Sequence, residues 1–567
     1  MKSFFGALVG VFVGLFLLVL VLIGFAAGAA ASGGQSQVAL NNNAVVQITL
    51  DGTLTEKPNE VDKFWSELLD EPAQMSLYEL LEVVDAAGKS DKVKAIWLDM
   101  GMVDASWAAL TELRTALDSA QAQGVTVVAT SKAYDPKSYY IASVADKIYL
   151  APAGMLVLNG LSASPTYFKG ALDKLGVKAH LVRGSDNDFK SAGEPFIADS
   201  MSAANRLQYT ELLGGIWSEV EAGIRASRRS INDSDWTHIL NHEPLLTAER
   251  AQALALVDHL QYADEWSVAD WGGNEDGIIS AADFHSLIEP GDAKGVIAVM
   301  IAEGDVVDGS DAEAIADFDF TEQVDALLER DDVQGVVLRI NSPGGSALAS
   351  DEIHRGVVRL TDAFPVVVSM GGAAASGGYY MAAPADEIWA QPTTITGSIG
   401  VFGLLFSGEE LLNDKMGIKS QPVATHPFAS FPSLDRTPTA SELAVVQASV
   451  DRTYARFKEV VAQGRRLEPS TVDSIARGRV YTGQRAKELG LVDELGGLAD
   501  AIKSCANLAE LSSYRVEHFT LDEEPWRRAL REFGVSLRSA SLEAQIRALH
   551  TKIQRMGGIQ ARETLLL

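Results

Sequence analysis

The sequence predicts an α/β protein with two tandem copies of one unit in a single chain, preceded by one N-terminal transmembrane helix. Three observations carry this expectation. Blocks of sequence recur in the same order about 240 residues apart; short β-branched runs alternate with longer amphipathic stretches; and the chain opens with a long uncharged apolar run. Length alone, 567 residues at roughly 150 per domain, would have given three or four unrelated domains. The repeats replace that count with a duplication.

The first element is the apolar run. No charged residue stands between Lys2 and Asp51, and Phe4 to Phe25 is interrupted only by glycines. As a helix at about 1.5 Å per residue it would reach ~33 Å, enough for a ~30 Å hydrocarbon core and longer than the ~7–15-residue apolar region of a cleaved leader. Residues 1–31 are therefore expected to be a retained anchor. Lys2, the only flanking cation, places the N-terminus inside and the body on the far side of the membrane. Residues 32–43, rich in Gly, Ser, Gln and Asn, read as a flexible linker.

The two copies are expected at 44–262 and 295–505. Asp91 to Leu98 matches Asp331 to Leu338 at an offset of 240, and Tyr139 to Pro152 matches Tyr379 to Pro392 with 7 identities in 14. Leu175 to Lys178 pairs with Met416 to Lys419, and Arg250 to Leu260 with Arg485 to Leu495 with 7 identities in 11. Val45 to Leu50, Val125 to Val128, Val296 to Ile301, Val336 to Ile340 and Val366 to Val368 read as buried strands, with Ala347 to Leu360 and Glu442 to Gly464 as helices. That alternation implies a mainly parallel sheet covered by helices. Residues 263–294 join the copies, and 506–567 read as a mixed-charge helical tail. In the connector, Gly272 to Asp283 mimics a calcium loop, but a glycine holds its first position and Asp283 its twelfth, so it reads as a solvated turn.

Composition narrows the chemistry. A net charge of −29 argues against a nucleic-acid surface, and the single cysteine, Cys505, rules out an intrachain disulfide or a cysteine-rich zinc site. Two glycine-rich turns in the second copy stand out. Asn341 to Ser346 contains Gly344 and Gly345 at a strand end, where backbone N–H groups can line an anion cradle. Gly371 to Tyr379 places Ser376 among small residues where a helix begins, a setting that suits a nucleophile as well as a helix cap. The duplication separates these readings: at offset 240 Ser376 becomes Pro136, and the Pro343-Gly344-Gly345 turn becomes Val103-Asp104-Ala105. Only the second copy is built for acyl chemistry.

A serine nucleophile needs a base. None of the nine histidines sits in a triad-like motif, and His354, on the helix after the first glycine turn, is expected to face solvent. A lysine kept neutral by burial is the other solution. Lys190, in Asp188 to Phe196, is one lysine among many; its counterpart in the second copy is Phe431, so the copies look complementary.

The block Ser369-Met370-Gly371-Gly372 through Ala375-Ser376-Gly377-Gly378-Tyr379, the run Thr396-Gly397-Ser398-Ile399-Gly400 and the element Lys190-Ser191-Ala192-Gly193-Glu194-Pro195-Phe196 together resemble the signal peptide peptidase A family in its long, duplicated form. The resemblance reaches from the anchor to about residue 505. It implies a Clp protease/crotonase-like fold in each copy and a membrane-bound serine endopeptidase. By the same resemblance Ser376 is the nucleophile, Lys190 the general base and Ser398 a second serine that orients the lysine, with Gly377 and Gly344 or Gly345 as oxyanion donors. Neither cofactor nor metal is implied. The expected partners are hydrophobic signal peptides, the bilayer and three further copies in a homotetramer on the outer face of a bacterial cytoplasmic membrane. Two alternatives stay open, a crotonase-like acyl-CoA enzyme and an inert membrane scaffold of the same fold.

Overall fold

The structure is a computed structural model that describes residues 40–58, 75–289, 291, 293, 295–311 and 313–520, and the backbone of Ile559–Arg562. The expected anchor at 1–31, most of the linker and most of the tail lie outside the described residues. Among the described residues no helix is long and apolar enough to cross a membrane.

Each copy is built on a parallel six-strand path, and the two paths correspond strand for strand. In the first copy the order is His259–Leu260, Lys147–Leu150, Thr126–Ser131, Val93–Asp104, Ala44–Thr53 and Ile278–Ser280. In the second it is Glu494–Leu495, Glu387–Ala390, Val366–Ala375, Val333–Ser342, Val296–Glu303 and Arg515–His518. Register repeats as well: Ile96 pairs with Val127, and Val336 with Val366. Strands covered on both faces need apolar residues at successive positions. Accordingly Val336, Val337 and Leu338 are all fully buried, as are Val366, Val367 and Val368. The covering helices start at side-chain caps: Ser76 and Glu79 form a reciprocal capping box, as do Thr439 and Glu442. Cys505 packs on the second sheet with Sγ 3.6 Å from the carbonyls of Val336 and Pro365, and burial pushes its thiol up to about 12.

Both expected boundaries move. Ile278–Ser280, from the connector, runs parallel to Val45–Gln47, and Arg515–His518, from the tail, runs parallel to Val296–Val299. Each sheet is therefore completed by a strand beyond the expected ends at 262 and 505. The calcium-like stretch is part of this crossover, not a simple solvated turn. Asn274 caps the turn that precedes the strand, accepting from the N–H of Asp276 at 3.2 Å, and Asp283 accepts from Ser280 Oγ at 2.7 Å. In the tail, expected to be helical, the helix Leu498–Leu508 ends at Leu508, and strands lie at Arg515–His518 and Ile559–Arg562.

The copies pack closely against each other. Lys178–Arg183 of the first pairs antiparallel with Phe402–Ser407 of the second. Ile395 and Val480 enter the first core and Val182 the second. At the junction Arg339 is 1% exposed. Its guanidinium donates to Glu56 (2.9 Å) and Glu112 (2.7 Å) of the first copy and to Ser369 Oγ (2.8 Å) of its own. Two carboxyl groups therefore share one buried guanidinium. Burial raises the pKa of Glu56, although Arg339 acts against that rise.

Candidate active site

Ser376 joins the strand Val366–Ala375 to the short buried helix Gly377–Ala382. Its backbone has φ 54° and ψ −113°, a conformation that costs a non-glycine residue ~1–3 kcal/mol and persists only where the surroundings enforce it. The surroundings do so: Ser376 N–H donates to Gly397 O at 2.9 Å, and Tyr380 N–H donates to Ser376 O at 2.9 Å. In the first copy the equivalent helix begins at Pro136 behind an Asp135 cap. Both copies keep the tyrosine that ties this helix down: Tyr139 and Tyr379 hydroxyls each donate to a backbone carbonyl, of Leu256 and Leu491, at 2.8 Å. Scaffold has been retained in both, and the serine only in the second.

Ser398 follows the strand Ile395–Gly397, with φ 51° and its N–H on Arg479 O at 2.7 Å. Lys190 arrives from the other copy on a loop that leans on the same region. Gly184 N–H and Asn187 Nδ2 donate to Val401 O, and Phe189 N–H donates to Arg477 O. Gly478 lets this loop close in, since a Cβ there would stand 2.5 Å from Lys190 Cβ, and its φ of +72° also favours glycine. Lys190, Ser376 and Ser398 are all fully buried. Lys190 Nζ lies 3.0 Å from Ser376 Oγ, 2.8 Å from Ser398 Oγ and 3.1 Å from Ser398 O. The predicted trio is brought together within one chain, at distances that allow proton transfer.

The glycine turns meet beside it. A Cβ on Gly377 would stand 3.2 Å from Gly345 N and 3.3 Å from Gly344 Cα, so the two loops touch at backbone distance. Gly345 tolerates no side chain, because its Cβ would fall 2.0 Å from Val306 O. Gly344 N–H donates to Ser342 Oγ at 3.1 Å, and Gly345 is paired with Val306 on one side and Ala561 on the other. Next to these turns the backbone of Ile559–Arg562 runs antiparallel to both Gly344–Ser346 and Phe402–Ser407. The slot between those strands thus accepts one extended peptide.

Two residues inside the quoted motifs have supporting roles that the sequence did not single out. Asn341 Oδ1 accepts from the N–H of Ala373 at 3.1 Å, bracing the chain that leads into Ser376, and Thr396 Oγ1 donates to Ala374 O at 2.7 Å. His354, expected to face solvent, is half-buried edge-on to Tyr380, and burial lowers it to about 4.

A buried serine hydroxyl in contact with an amine, beside two glycine turns, is the constellation of a serine hydrolase. Comparison with known proteins defines its class. The model of peptidase family S49 matches residues 119–268 and 359–512. "Protease 4" of Salmonella typhi is 34% identical over 80% of this chain and 75% of its own length. "Protease 4" of Haemophilus influenzae is 31% identical over 87% and 84%, and the chloroplastic serine protease SPPA of Arabidopsis thaliana 27% identical over 76% and 65%. ClpP1 of Listeria monocytogenes overlaps 36% of the chain and 94% of its own at 18% identity and a TM-score of 0.24, too little to define the fold. The chain is a serine peptidase and belongs to peptidase family S49. That membership sets aside acyl-CoA chemistry.

Proposed function

We propose that this chain is a membrane-anchored endopeptidase in which Lys190 is the general base for Ser376, and that its substrates are signal peptides left in the membrane after export, together with misfolded exported proteins. The observation that carries the reading is the 3.0 Å approach of Lys190 Nζ to Ser376 Oγ in a fully buried setting. Burial disfavours a charged ammonium, and a base must be neutral to accept a proton.

In this reading the Ser376 Oγ proton passes to Lys190 as Oγ attacks the scissile carbonyl carbon. Ser398 holds the amine on its other side. The oxyanion that forms is met by the N–H groups of Gly345 and Gly377. Lys190 returns the proton to the leaving amine, giving an acyl-enzyme on Ser376. It then deprotonates a water that attacks the ester, and Ser376 recovers its proton as the acid product leaves.

The strand-wide slot beside Gly344–Ser346 favours an extended peptide, whose own backbone would supply the ladder bonds. The apolar run Phe4 to Phe25 supports an anchor that keeps the body on the outer face of the cytoplasmic membrane, where spent signal peptides accumulate. Assembly as a homotetramer belongs to the same proposal. The test is cleavage of a synthetic signal-sequence peptide by the full chain in detergent, compared with Ser376→Ala and Lys190→Ala. Cleavage is expected from the parent alone; turnover that persists in either variant overturns the reading.

A further inference from the structure

Lys190 and Ser376 belong to different copies, so something must hold one copy's loop at a fixed distance from the other's serine. We propose that Gln208 is that positioning residue. It lies on the helix Ala203–Ser227 of the first copy and is 2% exposed. Its Nε2 donates to Ser191 Oγ (2.9 Å) and to Phe189 O (3.3 Å), the residues on either side of Lys190, and to Asn205 Oδ1 at 3.0 Å. On its other side Gln208 Oε1 accepts from the N–H of Val480 at 3.5 Å.

Val480 belongs to the second copy. Its strand, Val480–Thr482, pairs antiparallel with Ile395–Gly397, and the neighbouring Arg479 O receives the N–H of Ser398. Gly397 O in turn receives the N–H of Ser376. One amide side chain therefore ties the base's loop to the backbone that fixes both serines. The helix around it is shaped for this contact. Glu211 pairs with Arg479, and Gly215 would place a Cβ 3.0 Å from Thr482 Cγ2. Residues 208, 211 and 215 fall on one helix face, turned toward the strand.

The support beneath Gln208 is polar and buried too. Asn205 Nδ2 donates to Glu194 Oε2 at 2.8 Å, and both residues are 4% exposed. Burying such groups is unfavourable unless they are hydrogen-bonded, and an apolar contact would have sufficed to dock a helix. The second copy lacks the polar contact. Its matching helix, Ala440–Gly464, also has 25 residues, and its start is displaced by 440 − 203 = 237. At that displacement Gln208 becomes Val445, which is exposed. The clamp is present only in the copy that carries Lys190.

This inference rests on Lys190 being the base, and the experiment separates the two. Steady-state cleavage of the signal-sequence peptide is measured for the full chain, Lys190→Ala, Gln208→Met and Gln208→Glu, with thermal melts to establish folding. Methionine keeps the volume and removes all the hydrogen bonds; glutamate keeps the acceptor for Val480 and removes the donors. A positioning role predicts kcat at least tenfold lower in the folded variants with KM within twofold, since the peptide slot is untouched. A folded variant with kcat within twofold of the parent overturns it, as does a loss confined to KM. If neither variant folds, Gln208 supports the fold and the positioning role is wrong. Activity in Lys190→Ala would instead bring down the underlying dyad.

Discussion

Replacing Arg339 by methionine should loosen the junction that brings Lys190 to Ser376. The side chain is 1% exposed and holds Glu56 and Glu112 at 2.9 and 2.7 Å, so its loss strands two carboxylates in the interior. Removing one partner of a buried ion pair costs about 3–5 kcal/mol. For a unit of this size each kcal/mol moves the melting temperature by roughly 2–4 °C, so a fall of about 10 °C is expected. Differential scanning calorimetry of the parent and Arg339→Met reads it directly. Adding Glu56→Gln to that variant should recover part of the loss, because it removes one stranded charge. The pH dependence has a defined sign. Glu56 has its folded pKa raised from 4.5, so its contribution is full below that value and is lost as pH rises through the folded pKa. Glu56→Gln in the parent should flatten that decline. A melting temperature for Arg339→Met within about 2 °C of the parent would mean that the buried triad does not hold the copies together.

Other outcomes follow from single contacts. Ser398→Ala removes the 2.8 Å contact to Lys190 Nζ, and at about 0.5–1.5 kcal/mol for such a bond kcat should fall roughly three- to tenfold with KM unchanged in steady-state assays. Gly345→Ala forces a Cβ to within 2.0 Å of Val306 O, so peptide turnover should fall by about 100-fold or more; near-parent turnover would show that this turn is not part of the catalytic backbone. Glu442 is held down at about 2, from 4.5, chiefly by Arg436, with the Thr439 cap helping. Its contribution is therefore present above pH 4.5 and is lost as pH falls toward 2, and Glu442→Gln should show a shallower acid limb in circular dichroism titrations.

How far the sequence could be read depended on whether a residue's partner was near or far along the chain. The offset of 240 located paired strands such as Val93–Asp104 and Val333–Ser342 because β-branched runs report their own burial. The expected limits failed at Ile278–Ser280 and Arg515–His518, since a three- or four-residue edge strand has too little periodicity to stand out from a connector. Ser376 was legible through the small residues around it, and Lys190 only through the asymmetry between copies and a family resemblance. Arg339 sat unremarked within an apolar run, because its acidic partners lie 283 and 227 positions away. Gln208 was silent for the same reason: nothing local distinguishes it from a glutamine on a solvent-facing helix.

Activation of Ser376 by a neutral lysine can be read by intact-mass analysis after reaction with a fluorophosphonate, followed by peptide mapping. One adduct per chain is expected, on Ser376, formed by the parent and not by Lys190→Ala or by Lys190→Arg, whose guanidinium stays charged. Labelling of Ser376 at the parent's rate in Lys190→Arg, or an adduct on another residue, would contradict it.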